Sequence, residues 1–173
     1  MAAGVILDTS FLITLASPAR ENHITARRYW RHFTEEEIPI FLPTIVVAEF
    51  SIKQPIPPEI LRCCVTLPFN WDDAIQTSKL DIAGIDRQGD SRQSLKDDVK
   101  IIAQAITKDA AFVITDDKNS FHRYSLRLIE SGVAVFKAIS LADGFDSSHF
   151  DPHGQRDFHD ELDDESQDDA SAP

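Results

Sequence analysis

The chain lacks the features that mark membrane, secreted and zinc-binding proteins. Its 173 residues contain no run of about 18 apolar residues that could span a bilayer, and the N-terminal segment has neither the basic start nor the apolar core of a secretory signal. The only cysteines, Cys63 and Cys64, are adjacent, which excludes a disulfide framework and a spaced zinc motif. We therefore expect a single-domain cytoplasmic protein that does not bind membranes.

The excess of acidic residues is concentrated at the C-terminal end. The net charge of −12 would normally argue against a nucleic-acid partner. Residues 143–173 hold eleven Asp or Glu against one base, Arg156, so this segment carries −10 and residues 1–142 carry only −2. We predict a folded domain over 1–142 and an acidic, disordered tail over 143–173. The tail could mimic nucleic acid and cover the functional site, although a solubilising extension is the simpler interpretation.

Short apolar runs alternate with helical periodicities between residues 4 and 136. The runs predict strands over 4–7, 38–42, 64–67, 111–115 and 133–136. Helical spacing and turn residues predict helices between them, over 11–16, 21–33, 45–52, 72–85, 97–106 and 119–128. This order indicates an α/β fold with a mainly parallel central sheet and helices on both faces.

Four carboxylates stand where a predicted strand ends or a predicted helix begins. They are Asp8, Glu49, Asp98 and Asp117. The carboxyl ends of parallel strands meet at one edge of a sheet, and Mg²⁺ or Mn²⁺ prefers the oxygen ligands that Asp and Glu supply. The pattern therefore predicts a divalent-metal site.

Helical spacing chooses between the adjacent acids Asp97 and Asp98. Asp98 precedes Ile101 and Ile102 by three and four residues and shares their inward stripe, whereas Asp97 falls with Lys100 and Gln104 on the polar side. Asp98 is therefore the candidate ligand.

Each of the four acids also has an interpretation that involves no ligand. Asp8 and Asp117 could cap the helices that follow them, and Asp98 could favour the positive end of its own helix dipole. Glu49 could be a solvated helix residue, but it lies beside Val46 and Phe50, where burial of a lone carboxylate would be costly. Only their common placement favours ligation.

Four stretches of the chain resemble the PIN domain family, and within it the VapC-like ribonuclease toxins of type II toxin–antitoxin systems. The resemblance covers about residues 4–136 and is carried by VILDTSFLI around Asp8, IVVAEF around Glu49, DVKIIAQA from Asp98, and FVITDDKNSF around Asp117. It implies a PIN-like three-layer α/β/α sandwich and an endoribonuclease that uses Mg²⁺ or Mn²⁺. It also implies a homodimer and an antitoxin protein as partners, with RNA as the substrate.

The resemblance assigns roles to individual positions. Asp8, Glu49, Asp98 and Asp117 match the catalytic and metal-ligating acids, for either one ion or two, and Thr9, Ser10 and Thr115 match supporting hydroxyl positions. Basic residues close to the acids in sequence are candidate contacts for RNA phosphates: Lys96, Lys100, Lys118, Arg87 and Arg92. The chain departs from the family pattern at Ser120, where an acidic or similar polar residue is common, and in its long acidic tail.

Two other functions compete with the nuclease. A catalytically silent PIN-like module that binds RNA or protein would keep the acids as a structural cluster, although the complete set of four argues against this alternative. A phosphatase of the haloacid dehalogenase type would need a second Asp two residues after Asp8, and Ser10 stands there instead.

Overall fold

The computed structural model describes residues 4–80 and 92–151, and the side chains within 4–80 and 96–151. Its centre is a five-stranded sheet in which every pair of neighbouring strands is parallel. The strand order is β3-β2-β1-β4-β5. The strands are β1 Val5–Leu7, β2 Ile40–Pro43, β3 Cys64–Leu67, β4 Phe112–Thr115 and β5 Lys137–Ser140.

Seven α-helices flank this sheet in the described part of the chain. They are α1 Thr9–Ala16, α2 His23–Glu35, α3 Thr44–Ser51, α4 Pro58–Cys63, α5 Trp71–Lys79, α6 Arg92–Thr107 and α7 Arg123–Glu130. A π-helical turn, Lys118–His122, leads into α7. The predicted α/β fold is therefore confirmed, and the sheet is parallel throughout.

The strand order places a topological switch point beside β1. From β1 the chain builds the sheet first towards β2 and β3, and later in the opposite direction through β4 and β5. Leu7 is in register with Ile114, so Asp8 and Thr115 follow side by side at the carboxyl ends of β1 and β4. Open parallel sheets bind ligands in the crevice at such a switch point.

The central strand β1 is buried on both faces. Val5, Ile6 and Leu7 are fully inaccessible to solvent, as the apolar run predicts for an inner strand of a parallel sheet. Gly4 precedes this strand, and a Cβ atom there would clash with the ring of Phe41. Glycine thus lets β2 pack against the start of β1.

The last strand was predicted in the wrong place. It was expected over 133–136 but forms at Lys137–Ser140. The backbone N–H groups of Val133 and Ala134 both donate to the carbonyl of Leu128, at 2.9 and 3.1 Å, and so satisfy the end of α7 rather than a strand.

One short helix was not predicted, and one helix-face assignment needs correction. The helix predicted over 45–52 ends at Ser51, before the prolines at 55–58, and the additional helix α4 begins at Pro58, because proline is well suited to the first turn of a helix. Gln104 was assigned to a polar helix face but is fully buried, where its amide donates to the carbonyl oxygens of Leu67 and Pro68 at 3.3 and 3.2 Å. The predicted helix over 72–85 corresponds to α5, and 81–85 lies outside the described residues.

The described chain continues beyond residue 142, where the tail was predicted to begin. The Tyr29 hydroxyl donates to the carbonyl of Gly144 at 3.1 Å and accepts from the Asp146 amide at 3.2 Å. The Phe150 ring packs against Phe33 and Phe112, with centroids 5.2 and 4.6 Å apart. Residues 143–151 therefore lie against α2, and the rest of the predicted tail lies outside the described residues. No helix in the described ranges is long and apolar enough to cross a bilayer.

Candidate active site

Asp8 is held at the switch point by hydroxyl groups from two elements. Its Oδ2 atom accepts hydrogen bonds from the Ser10 hydroxyl at 2.5 Å, the Ser10 amide at 3.2 Å and the Thr115 hydroxyl at 2.8 Å. Asp8 is also the N-cap of α1, which confirms the capping interpretation and does not exclude a role as a metal ligand. Burial raises the pKa of the Asp8 carboxyl, and the hydrogen bonds only partly offset this.

The hydroxyls around Asp8 also fix the loop after β4. The Ser10 and Thr115 hydroxyl oxygens are 3.0 Å apart, and they accept the amides of Asp116 and Asp117 at 2.8 and 2.9 Å. The structure thus places Ser10 and Thr115 between the first and fourth acids. This network ties the end of β1 to the end of β4.

Glu49 reaches the same region from α3. The Thr9 hydroxyl donates to its Oε2 atom and so links the start of α1 to the middle of α3. Burial raises the pKa of Glu49, and the charges of Asp97 and Asp8 add to the rise. Glu49 is half-buried, so it borders the pocket and not the solvated outside of the helix.

Asp98 experiences the combined charge of the other acids. It is buried on α6, and its Oδ2 atom accepts a hydrogen bond from the Ser120 hydroxyl at 3.1 Å. Burial and then the charges of Asp8, Asp117 and Glu49 raise its pKa to about 8, against the smaller opposing effect of Ser120. A pKa this far from normal, with like charges as its cause, is typical of functional sites.

The adjacent acids Asp116 and Asp117 have different environments. Asp116 accepts hydrogen bonds on both oxygens, from the Thr14 hydroxyl at 2.6 Å and the Asn22 amide at 2.7 Å. Asp117 caps the π-helical turn, where its Oδ1 atom accepts the amides of Asn119 and Ser120 at 3.0 and 2.9 Å. Asp116 therefore fastens α1 to β4, whereas Asp117 keeps its second oxygen for the pocket.

All four predicted acids line one pocket of about 540 Å³, together with residues of α1 and the end of α3. The hydrogen bonds described above engage one oxygen of each carboxylate. The Thr9 backbone N–H is a further donor to the Asp8 carboxylate. Carboxylate oxygens are the ligands that Mg²⁺ and Mn²⁺ prefer.

The pocket is not a closed metal cluster. Within the described residues, no three Asp, Glu, His or Cys side chains approach closely enough to form a metal-binding group. The acids are nevertheless near enough for three of them to raise the pKa of the fourth. The residues thus fit a hard cation in donor type and in charge.

The predicted basic contacts have varied environments. Lys100 forms an ion pair with Asp97 at 2.7 Å, and Lys118 pairs with Asp143 at 3.2 Å. Lys96 is exposed. Arg87 and the side chain of Arg92 lie outside what the structure describes.

Sequence reasoning missed two polar pocket residues, Lys53 and Gln54, which line it just beyond the end of α3. Ser120 was identified only as a departure from the family pattern, and its bond to Asp98 was not predicted. Lys53 is four residues after Glu49, a spacing that places both on one side of a helical stretch and could have identified it.

Solved structures with this fold include the sarcin–ricin-loop-cleaving toxin VapC20 of Mycobacterium tuberculosis, at 16% identity and a TM-score of 0.52, over 72% of this chain and 95% of the toxin. VapBC2 of Rickettsia felis, bound to promoter DNA, matches at 12% identity and a TM-score of 0.52, over 78% of this chain and 97% of the solved chain. DNA-bound VapBC of Salmonella typhimurium matches at 17% identity and a TM-score of 0.52, over 80% of this chain and 98% of the solved chain. No protein-family model and no curated protein sequence matches the chain.

These likenesses extend over nearly the whole length of the other proteins, so they concern a complete domain. At 12 to 17% identity they establish the fold and no more. The PIN-like α/β fold expected from the four acidic stretches is thereby confirmed.

Proposed function

We propose that this chain, which has the PIN-like fold of the VapC proteins, is a Mg²⁺- or Mn²⁺-dependent endoribonuclease. The observation that carries the proposal is that Asp8, Glu49, Asp98 and Asp117 all line one pocket, where burial and the other three charges raise the pKa of Asp98. Such mutual repulsion destabilises a protein unless a cation offsets it. Asp8, Glu49, Asp98 and Asp117 would hold the ion through their carboxylate oxygens.

Phosphodiester hydrolysis needs a strong nucleophile and relief of the repulsion between that nucleophile and the anionic phosphate. A carboxylate-bound divalent ion would supply both, by acidifying water and by binding phosphoryl oxygens. The protein's part is orientation. The Ser10 and Thr115 hydroxyls hold Asp8, and the Ser120 hydroxyl holds Asp98, so the carboxylates are positioned before substrate arrives. Asp98 must release its proton when a cation binds.

The biological role we propose is that of a toxin restrained by an antitoxin protein. Two of the structural neighbours are VapBC complexes, and a third is a toxin that cleaves the sarcin–ricin loop. Homodimer formation is proposed on the family resemblance alone. Co-expression of the chain with proteins encoded beside it, followed by co-purification, would identify such an antitoxin.

The nuclease is tested by incubation of the full chain with mixed cellular RNA, in Mn²⁺ or in chelator. We expect fragments only with Mn²⁺, and at least a hundredfold slower cleavage by Asp98→Asn, because loss of one ligand usually lowers metal affinity or activity by this order. Asp72→Asn is the matched control, since Asp72 is exposed on α5 and does not line the pocket. Equal cleavage by both variants would contradict the proposal.

A silent RNA- or protein-binding module is the second candidate. The observation in its favour is that no three acids in the described residues form a closed metal group. A folded chain that neither binds Mn²⁺ nor cleaves RNA would support the module over the nuclease.

A further inference from the structure

Two cavities of the protein adjoin at the end of α3. The acidic pocket of about 540 Å³ has Lys53 and Gln54 in its wall. A second cavity of about 520 Å³ shares the same two residues and is otherwise lined by Val47, Ser51, Ile52, Pro55, Ile56 and Leu61. The shared residues place the two cavities side by side, and we call the pair the groove.

Lys53 is the cationic side chain among the described residues that line the acidic pocket. It is exposed, and it forms no ion pair with any residue that the structure describes. Lys100 and Lys118, by contrast, are occupied by Asp97 and Asp143. An unpaired ammonium group at the rim of a pocket that would bind a phosphodiester is suited to an adjacent phosphate.

The lining of the second cavity is more apolar than that of the acidic pocket. Ile52 is 83% exposed and Leu61 is 43% exposed, so apolar surface faces solvent there. Ser51 and Gln54 add polar side chains at its edge. A cleft of several hundred cubic ångströms, mainly apolar with few polar groups, is typical of sites that bind small organic groups. A nucleobase combines apolar faces with hydrogen-bonding edges and matches this lining.

We infer that the groove is a nucleotide subsite for single-stranded RNA: Lys53 binds the phosphate next to the one cleaved, and the base of that nucleotide lies in the cavity lined by Ile52, Ile56 and Leu61. The inference rests on the proposed nuclease function for its substrate class. The shared wall with the acidic pocket and the charge of Lys53 favour a substrate nucleotide over a protein segment as the occupant.

RNA binding is measured separately from cleavage to test the subsite. A fluorescein-labelled 12-nucleotide RNA is titrated with the full-length Asp98→Asn protein in Mn²⁺, and the anisotropy is recorded at several salt concentrations. Adding Lys53→Ala should raise Kd about fivefold and lower the slope of log K against log salt by about 0.7, the value for one lost contact to single-stranded phosphate. Lys53→Arg should restore both, and Lys79→Ala, an exposed lysine of α5, should change neither.

A separate variant tests the proposed position of the base in the second cavity. Ile52→Ala should raise Kd about threefold through lost apolar contact and leave the salt slope unchanged, because no charge is removed. Val135→Ala is the control, since Val135 is 92% exposed and lies outside the groove. A Kd for Ile52→Ala equal to that control would overturn the base position.

The outcomes separate this inference from the nuclease itself. If Lys53→Ala binds RNA like Lys79→Ala, or if the Asp98→Asn parent shows no RNA binding, the subsite is overturned. If the unmutated chain fails to cleave RNA while binding still depends on Lys53 and Ile52, the subsite stands and the nuclease function falls.

Discussion

A buried carboxylate surrounded by three others is costly to ionise, and Asp98 is in this position. Its pKa of about 8 means that in the absence of a cation it carries a proton at neutral pH. The Ser120 hydroxyl, 3.1 Å away, favours the charged form and limits the rise. The residue is thus balanced between a proton and a cation, which suits a ligand that must exchange one for the other.

This balance predicts a pH-dependent stability in chelator. In the unfolded chain Asp98 loses its proton near pH 4, whereas in the folded protein it keeps it until about pH 8. Between these values the folded state binds the extra proton, so the free energy of unfolding should fall by about 1.4 kcal/mol per pH unit as the pH rises. The raised pKa values of Asp8 and Glu49 act in the same direction.

Thermal melts between pH 5 and pH 8 would measure this effect. The advantage in melting temperature of Asp98→Asn over the native chain should grow steadily from pH 5 to pH 8, because the amide has no proton to lose. Identical pH profiles for the two proteins would show that Asp98 is not the strained group.

The neighbouring acids Asp116 and Asp117 allow a matched comparison. Asp116→Asn should lower the free energy of unfolding by about 2 kcal/mol, since it weakens the bonds to Thr14 and Asn22, with little loss of specific activity. Asp117→Asn should instead reduce cleavage at least tenfold with a smaller change in stability. Denaturant unfolding and RNA cleavage assays distinguish the two, and the reverse pattern would mean that the site acid was misassigned.

At the level of elements, sequence patterns locate buried strands better than they locate chain ends and connections. The runs that became β1 and β4 are short, apolar and largely buried; Asp8 follows β1 directly, and Asp117 lies two residues beyond β4. The segment 133–136 alternates buried and exposed side chains as a strand does, with Val135 exposed and Phe136 buried, but its first amides bond to the end of α7. The pattern of apolar and polar residues along the sequence does not reveal such hydrogen-bond partners.

The acidic pocket likewise contains residues that sequence patterns indicate and residues that they do not. Strand ends and helix stripes indicated Asp8, Glu49, Asp98 and Asp117, because topology brings such positions together. Lys53 was missed because its place in the pocket depends on how the chain leaves α3. The burial of Gln104 beneath Leu67 likewise depends on the packing of α6 against the end of β3.

The C-terminal segment Leu141–Asp151 is an element that composition alone did not predict. It crosses α2, where Phe150 contacts Phe33 and Phe112. Phe150→Ala should lower the free energy of unfolding by about 2 kcal/mol, less than a fully buried Phe because Phe150 is only partly buried. RNA cleavage measured below the melting temperature should be unchanged, since the segment does not line the pocket.

Val135→Ala provides the control for that variant, because Val135 is an apolar side chain that is 92% exposed. Its denaturant midpoint should equal that of the native chain. A Phe150→Ala midpoint indistinguishable from both would mean that residues 143–151 contribute nothing to the fold.

For the whole molecule, the distribution of charge is compatible with the proposed anionic substrate. Residues 1–142 carry only −2 of the net −12, and four of their acids surround one pocket. A divalent ion bound there would remove the local excess of negative charge before a phosphate approaches. Lys53 then adds a positive charge at the rim of this pocket, beside the second cavity.

The central claim is that the four carboxylates act together as one cation site, and Mn²⁺-dependent melting temperature tests it most directly. A ligand that binds the folded chain at a hundred times its Kd stabilises it by about 2.7 kcal/mol, which is several degrees for a domain of this size. We predict this rise for the native chain and the Asp72→Asn control, and no rise for the Asp8→Asn, Asp98→Asn double variant. An equal rise in all three proteins, or none in the native chain, would contradict the account.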